Sequence, residues 1–382
     1  MQLVREEGVL LYTARRESSA GLVQQSLNWE YLFAIASAHG LLPLLRKELS
    51  KFTDLIPPHA LSHLKRESVS NTQAVLHLIS KQIRILKLFK EHEIPVATFK
   101  GPVLSQMAYR EIALRQAGDI DLLIHRRHFG RAKSLLESLG YQMFPKLTSA
   151  QLASHLHHHC EITFMRDDWF TVIDLHWELA PKTFVFNLET DEVMSRLQSI
   201  SLAGTMVETF GAEDSVLYQA MHGAKHLWRR LEWVVALAES VRLGVDWDLL
   251  IESAQRTRMT RMLALGLRLV EEFGDVPIPS RVLGTIDADK AMERLSAKIR
   301  VQMFSTYGPA DSTETNLYNL WIMDRKRDAL ISALRAIFVP TFTDWQAVAL
   351  PASLHPLYYA VRPLRLSKVY GSSLLRKVTR NA

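Results

Sequence analysis

The sequence predicts an α+β protein: a compact α/β unit held between helical segments. Three observations lead there. Apolar residues recur at helical spacing through roughly the first 90 residues. At residue 94 the texture changes to short strands alternating with helices. From about residue 212 the helical pattern returns. A chain of 382 residues is too long for one small core. The predicted division is a helical segment over 1–90, an α/β core over 91–208, a helical domain over 209–335 and a basic aromatic tail over 336–382. Composition, with 48% hydrophobic and 23% charged residues, is that of a globular protein and marks no segment as disordered.

The elements follow in order. LNWEYLFAIASAHGLLPLL predicts helix, with Gly40 where a helix can stop. SNTQAVLHLISKQIRILKLFKEH predicts a long amphipathic helix that puts Val75, Leu78, Ile79, Ile83 and Leu86 on one side, with Ser70 or Asn71 as N-cap. IPVATFKG predicts a short strand ending in a glycine turn, and PVLSQMAYREIALR a helix with Pro102 in its first turn. GDIDLLIH alternates strictly, so it is a strand with Asp119 and Asp121 on one face and Ile120 and Leu122 on the other. RRHFGRAKSLLESLGY predicts an amphipathic helix ending at Gly140. CEITFMRDDWFTVIDLHWEL predicts a strand pair joined at Arg166–Asp168. Helices follow over AEDSVLYQAMHGAKHLWRRLEWVVALAESVR and WDLLIESAQRTRMTRMLALGLRLVEEFG, and two more lie in 290–335.

The chemistry concentrates in Lys100-Gly101, Arg115, Asp119, Asp121 and Asp174. Carboxylates two apart on a strand project to one face, so both can grip divalent ions, and magnesium prefers such oxygen ligands. A third carboxylate from a neighbouring strand completes the ion that touches an attacking hydroxyl, and two ions stabilise the attacking and leaving oxygens of an in-line displacement. A glycine between strand and helix lets the backbone approach phosphates at the helix N-terminus. Lys100 and Arg115 supply the cations that phosphoryl transfer uses for charge stabilisation. Asp119, Asp121 and Asp174 stand in apolar runs, where a charge is costly unless paired or ligated.

The segment TFKGPVLSQMAYREIALRQAGDIDLLI resembles the uncharacterised-nucleotidyltransferase family, a branch of the polymerase-β-like superfamily, in its Lys100-Gly101 turn, Tyr109, Arg115 and Asp119-Ile120-Asp121. VIDLHWEL is similar to the family's later strand, with Asp174 before His176-Trp177, and MHGAKHLWRRLEW to its helical signature, with His222, Lys225, His226, Trp228 and Arg229. With the opening LNWEYLFAIASAHGLLPLL, the resemblance covers most of 28–240. It departs at Gly101-Pro102, where the superfamily has Gly-Ser or Gly-Gly, and at Ala236, where the helical signature often continues to an aspartate. Pro102 removes one N–H donor from the turn.

The resemblance implies a polymerase-β-like nucleotidyltransferase module that moves a nucleoside monophosphate from an NTP, ATP being the first expectation, to an acceptor hydroxyl. Magnesium, with manganese as a substitute, would be held by Asp119, Asp121 and Asp174. Lys100, Gly101, Arg115, His222, Lys225, His226 and Arg229 would contact the nucleotide. The acceptor would be a small molecule, a saccharide or a protein, and nucleic acid is less expected. The other readings are a D-x-D glycosyltransferase, which the Lys-Gly turn and third aspartate disfavour, an enzyme that extends RNA ends, and a degenerate binding module.

His222 and His226 lie one helical turn apart, but Gly223 stands where a zincin has glutamate, so cleft contacts and plain packing are the two alternatives. Trp177, Trp228 and Trp233 are expected in the core. His155, His157, His158 and His159 with Cys160 have the wrong spacing for paired zinc ligands and, on a strand, would point to opposite faces; His159 is left as a cleft candidate. Cys160 is the only cysteine, so no intrachain disulfide forms. The first residues lack signal-peptide features and no apolar run reaches spanning length, which points to the cytoplasm. Net charge is +6, and after Asp344 there are only bases. That tail either meets an anionic partner, such as a membrane surface, or packs on the helical domain through Trp345, Leu357, Tyr358 and Tyr359, which is the preferred expectation.

Overall fold

The structure, a computed structural model, describes residues 4–116, 118–166, 171–287, 289–304 and 318–380, with side chains left undescribed over 285–287 and 370–380. It is a mixed α+β protein built on a five-stranded sheet, and helices make up most of the rest. The strands are β1 (Val96–Phe99), β2 (Asp119–Ile124), β3 (Gln142–Phe144), β4 (Glu161–Met165) and β5 (Val172–His176). They lie in the order β1-β2-β5-β4-β3. Only the central β2–β5 pair is parallel; all others are antiparallel. β4 and β5 form the expected strand pair, while their connection over 167–170 lies outside the described residues.

Two further strands, β6 (Gln198–Leu202) and β7 (Thr205–Thr209), make a hairpin that the sequence reasoning did not separate from the core. Its two-residue turn puts Ala203 at φ 49° and Gly204 at φ 80°, the left-handed pair that a tight hairpin requires.

Several boundaries differ from expectation for local reasons. The long helix runs Pro58–Glu91, so Ser70 and Asn71 are interior residues, not caps. Pro57-Pro58 sets its start, since a proline in the first turn loses no helical hydrogen bond. Asn71 instead donates its side-chain amide to the Ala113 carbonyl, 2.8 Å away. The helix after β1 is shorter than predicted, Gly101–Tyr109, and stops where Arg110 turns left-handed at φ 58°. The helix after β2 begins with a 3-10 turn, Arg126–His128, and continues as Phe129–Ser138.

The stretch predicted as one helix from 212 to 242 is two, Ala212–Lys225 and Leu231–Arg242. Leu227 and Trp228 take φ 56° and 51° in the break, and the fully buried Trp228 ring folds back over Gly223. A Cβ on Gly223 would stand 2.4 Å from that ring, so only glycine fits.

Burial falls into three clusters. One packs Val9, Leu32, Leu45 and Leu64 from the N-terminal helices against Leu217, Trp228, Leu237, Leu265 and Ile322 from the later ones. A second lies on the sheet, with Ile120, Leu122, Ile173, Leu175 and Trp177 covered by Phe129, Leu136, Ile85 and Phe89. The third joins Val75 and Ile79 to Val103, Leu202 and Val207 of the hairpin region. The helix Pro58–Glu91 enters all three, with Leu64 in the first, Ile85 in the second and Val75 in the third.

Candidate active site

The register of the parallel pair sets the centre. Asp121 on β2 lies directly beside Asp174 on β5, and Asp119 is two residues earlier on the same face. Carboxylate oxygens of Asp119, Asp121 and Asp174 all come within 4.8 Å of one another. Asp121 is buried and the other two are half-buried. Across the next register step Thr163 donates its hydroxyl to Asp174 Oδ1 at 2.7 Å.

Like charges this close resist ionisation together. Burial, then the charge of Asp121, raises Asp119 to about 6, with Asp174 adding to the effect. Burial likewise raises Asp174. Burial would raise Asp121 as well, but Lys100 and His176 outweigh it and hold that carboxyl low. The donors are all hard oxygens gathered at one point, and a divalent cation would relieve the repulsion that lifts Asp119; the residues fit magnesium.

Lys100 is expected from the sequence to neutralise triphosphate. In the structure its Nζ lies 2.6 Å from Asp121 Oδ1, and its ammonium also sits 5.5 Å from the ring centres of Phe99 and Tyr218. Its pKa is raised well above the ordinary value: burial works against the charge, but Asp121 and then Tyr218 prevail. Lys100 takes φ 60° and ψ −155°, a costly conformation for any residue with a side chain. That strain, at the junction of β1 and the helix Gly101–Tyr109, aims the ammonium across β2 at the carboxylates. Gly101 follows at φ 37° and Pro102 occupies the first helical turn, as expected.

Arg115 also has a protein partner: its Nη2 is 2.8 Å from Glu232 Oε1. Its Nε and Nη1 are buried and have no hydrogen-bond partner among the described residues. Glu232 takes Arg230 at 2.8 Å on its other oxygen, and its backbone N–H donates to the His39 carbonyl. Gly40, at φ 71°, comes so close that a Cβ there would lie 2.0 Å from Glu232 Oε2. The N-terminal helices therefore brace the site through a glutamate that sequence reasoning passed over.

A second layer lies behind Asp121. His176 Nε2 is 3.1 Å from Asp121 Oδ1, His176 Nδ1 is 3.0 Å from Glu161 Oε2, and Lys225 Nζ is 3.8 Å from Glu161 Oε1. Burial opposes the His176 charge, yet Glu161 and Asp121 raise its pKa well above the ordinary value. Glu161 is held low against the effect of burial by His176, Lys225 and Lys100. Glu161, Thr163 and Tyr218 were not singled out from the sequence. The signal for Glu161 was present: it is an acid opening an otherwise apolar strand that pairs with the strand of Asp174.

His222 and His226 lie close to Tyr218, which itself lies beside Lys100. Their ring centres are 4.8 Å apart, and His222 lies 6.0 Å from Tyr218. Burial, reinforced by Lys100, His226, Lys225 and Arg115, lowers His222 well below the ordinary value. Burial and Lys225 lower His226 to about 4. Both imidazoles are neutral at pH 7, so they donate or accept hydrogen bonds without adding charge. Arg229 is half-buried in the turn after them. Trp177 and Trp228 are core residues as expected; Trp233 is half-buried against the first core cluster, its ring 5.0 Å from His226.

His155, His157 and His158 occupy a helix, Ser149–His158, with His159 as its extended C-cap, and not the expected strand, because Thr148 and Gln151 form a capping box that starts it. His155 Nε2 meets the Glu161 carbonyl at 2.9 Å, and His158 Nε2 meets Tyr359 Oη at 2.6 Å. The other metal-capable group among the described residues is Cys160, Glu161 and His176, whose imidazole is already engaged on both sides. An open groove of about 510 Å³ lined by Arg46, Gln106, Arg110 and Gly204 lies at the far end of the helix Gly101–Tyr109 and touches none of the three aspartates.

The model of a family described as uncharacterised nucleotidyltransferase matches residues 25–275. The chain belongs to that nucleotidyltransferase family. The match includes the Lys100 turn, all three aspartates, and the histidine and arginine signature that follows. No curated protein matches the chain. Among solved structures, the solution structure of the antibiotic-resistance factor ANT(2'')-Ia is similar over 53% of this chain and 89% of its own, with 16% identity and a TM-score of 0.29. An antigenic nucleotidyltransferase-like protein from Paracoccidioides brasiliensis is similar over 55% of this chain and 90% of its own, with 13% identity and a TM-score of 0.33. Scores this low carry no weight beyond the likeness itself.

Proposed function

We propose that this chain is a magnesium-dependent nucleotidyltransferase acting on a hydroxyl acceptor. The observation that carries the reading is the meeting of Asp119, Asp121 and Asp174 within 4.8 Å beside Lys100. When bound, the divalent ions supply Lewis-acid stabilisation of the attacking and leaving oxygens. Asp119 and Asp121 would hold both ions, and Asp174 would complete the ligands of the one that serves the acceptor. Asp174, whose carboxyl is already lifted by burial and fixed by Thr163, takes the proton of the acceptor hydroxyl. The acceptor oxygen forms a bond to the α-phosphorus, the bond from that phosphorus to the bridging oxygen breaks, and pyrophosphate leaves with the electron pair.

Lys100 and the unsatisfied Nε and Nη1 of Arg115 neutralise the triphosphate. The Gly101 turn lets the phosphate chain approach the backbone. His222, Lys225, His226 and Arg229 contact the remainder of the nucleotide, for which ATP is the first candidate. The acceptor is a small molecule, a saccharide or a protein.

Incubation of the purified chain with magnesium and each of ATP, GTP, CTP and UTP, labelled at the α-phosphate, tests this. Label passing to a small molecule, saccharide or protein with release of pyrophosphate is the expected result. Label on RNA ends alone would favour an RNA-modifying enzyme. Tight magnesium-dependent nucleotide binding without release of pyrophosphate, across all four nucleotides and a broad set of acceptors, would leave a degenerate binding module.

A further inference from the structure

The last part of the chain carries charge that the rest lacks. From Arg325 onward ten lysines and arginines stand against Asp328 and Asp344 alone, a net of +8, whereas the whole chain carries +6 and residues 1–324 therefore −2. Both aspartates are buried and occupied. Asp328 pairs with Arg258 at 3.4 Å, and Asp344 takes Arg362 at 2.9 Å and Arg365 at 2.5 Å. Arg325, Lys326, Arg327 and Lys368 remain exposed.

The same region exposes aliphatic surface. The helix Lys326–Phe338 presents Leu330, Leu334, Ile337 and Phe338, between 42% and 60% exposed. Their spacing puts them on one face, and Arg327 stands three residues before Leu330 on that face. The helix Tyr358–Arg380 packs beside it and adds Leu364, 65% exposed, and Val369. Trp345 and Tyr358 are buried, with Tyr358 Oη donating to the Val348 carbonyl at 2.6 Å within the tail itself, while Leu357 and Tyr359 stay exposed.

We propose that this two-helix face docks peripherally on an anionic lipid bilayer. Leucine and isoleucine side chains insert at the headgroup–acyl boundary while the surrounding lysines and arginines meet lipid phosphates. A second copy of the chain fits poorly, because it would set the exposed Arg325, Lys326, Arg327 and Lys368 against their own copies. Nucleic acid would meet the charge but leave the aliphatic stripe uncovered. Among the described residues no helix is long and apolar enough to cross a membrane, which agrees with surface docking.

Co-sedimentation of the full chain with vesicles tests the proposal, using phosphatidylcholine alone and phosphatidylcholine carrying about 30% phosphatidylglycerol. The wild type should bind the anionic vesicles, not the neutral ones, and should be released by salt. Leu334→Glu/Ile337→Glu and, separately, Lys326→Glu/Arg327→Glu should each weaken that binding about tenfold or more. All four side chains are exposed, so melting temperatures should hold; a large drop would restrict the comparison to Leu334→Ser/Ile337→Ser. Absence of binding to anionic vesicles at low salt overturns the proposal. So does equal binding by the variants, or a wild-type dimer that the Leu334/Ile337 variant breaks while vesicles remain unbound.

Discussion

Lys100 Nζ and Asp121 Oδ1 stand 2.6 Å apart, so the cation assigned to substrate phosphate is also the counter-ion of a carboxylate assigned to metal. The two roles are linked. A metal ion at Asp121 would take over the neutralisation that Lys100 provides and release the ammonium toward the triphosphate. Lys100→Met should therefore lower the stability of the metal-free protein by about 2–3 kcal/mol, since a buried carboxylate keeps only His176. Excess magnesium should recover part of that loss. Thermal melting with and without magnesium checks both statements, and an unchanged metal-free melting temperature contradicts them.

Asp119 gives a pH test. Burial and the neighbouring carboxylates raise it from 3.8 to about 6. The folded chain keeps a proton that the unfolded chain releases in that window, so ionisation of Asp119 weakens the metal-free fold as pH rises through it. Asp119→Asn removes the penalty. At pH 7 the metal-free variant should be more stable by about 1–2 kcal/mol after allowance for partial exposure, and below pH 4 the two proteins should coincide. With magnesium and ATP the order should reverse, because the variant has lost a ligand. Melting curves across pH, with and without magnesium and ATP, measure this.

Asp174 separates binding from chemistry. Asp174→Asn keeps its shape and its contact with Thr163 but loses the charge. Transfer should fall by a factor of about 100 or more while nucleotide affinity changes little, the pattern of an interaction made mainly in the transition state. Turnover and affinity measured on one preparation decide it; near-normal turnover would refute the three-carboxylate site.

Gly40 tests the bracing of Arg115. Gly40→Ala combines a positive φ with a Cβ driven into the Glu232 carboxylate. A stability loss of about 2 kcal/mol or more is expected. Nucleotide affinity should fall too, because Glu232 can no longer hold Arg115. Loss of stability with unaltered affinity would separate Arg115 from the nucleotide.

Much of the site was legible in the sequence because β-strand periodicity is strict: a step of two from Asp119 to Asp121 places both on one face whatever the rest does. Asp174 was legible as a charge in an apolar run. Its neighbour was not, since the register Asp121 to Asp174 depends on how β5 enters the sheet. The partners of Lys100 and Arg115 were hidden for the same reason: Asp121 is 21 residues from Lys100, and Glu232 is 117 from Arg115. The break at Leu227–Trp228 was missed because its cause, the Trp228 ring over Gly223, is a packing event that helix propensity does not express.

The shared core of the N-terminal and later helices has a consequence during synthesis. Val9, Leu32 and Leu45 bury against Leu217, Leu237 and Leu265, so their helices leave the ribosome well before the later helices that complete their core. The sheet, whose strands all lie between Val96 and His176, can assemble earlier. A nascent chain arrested before the helix Leu231–Arg242 emerges would therefore carry a formed sheet beside helices whose apolar faces stay exposed and aggregation-prone until Glu232 and its neighbours arrive.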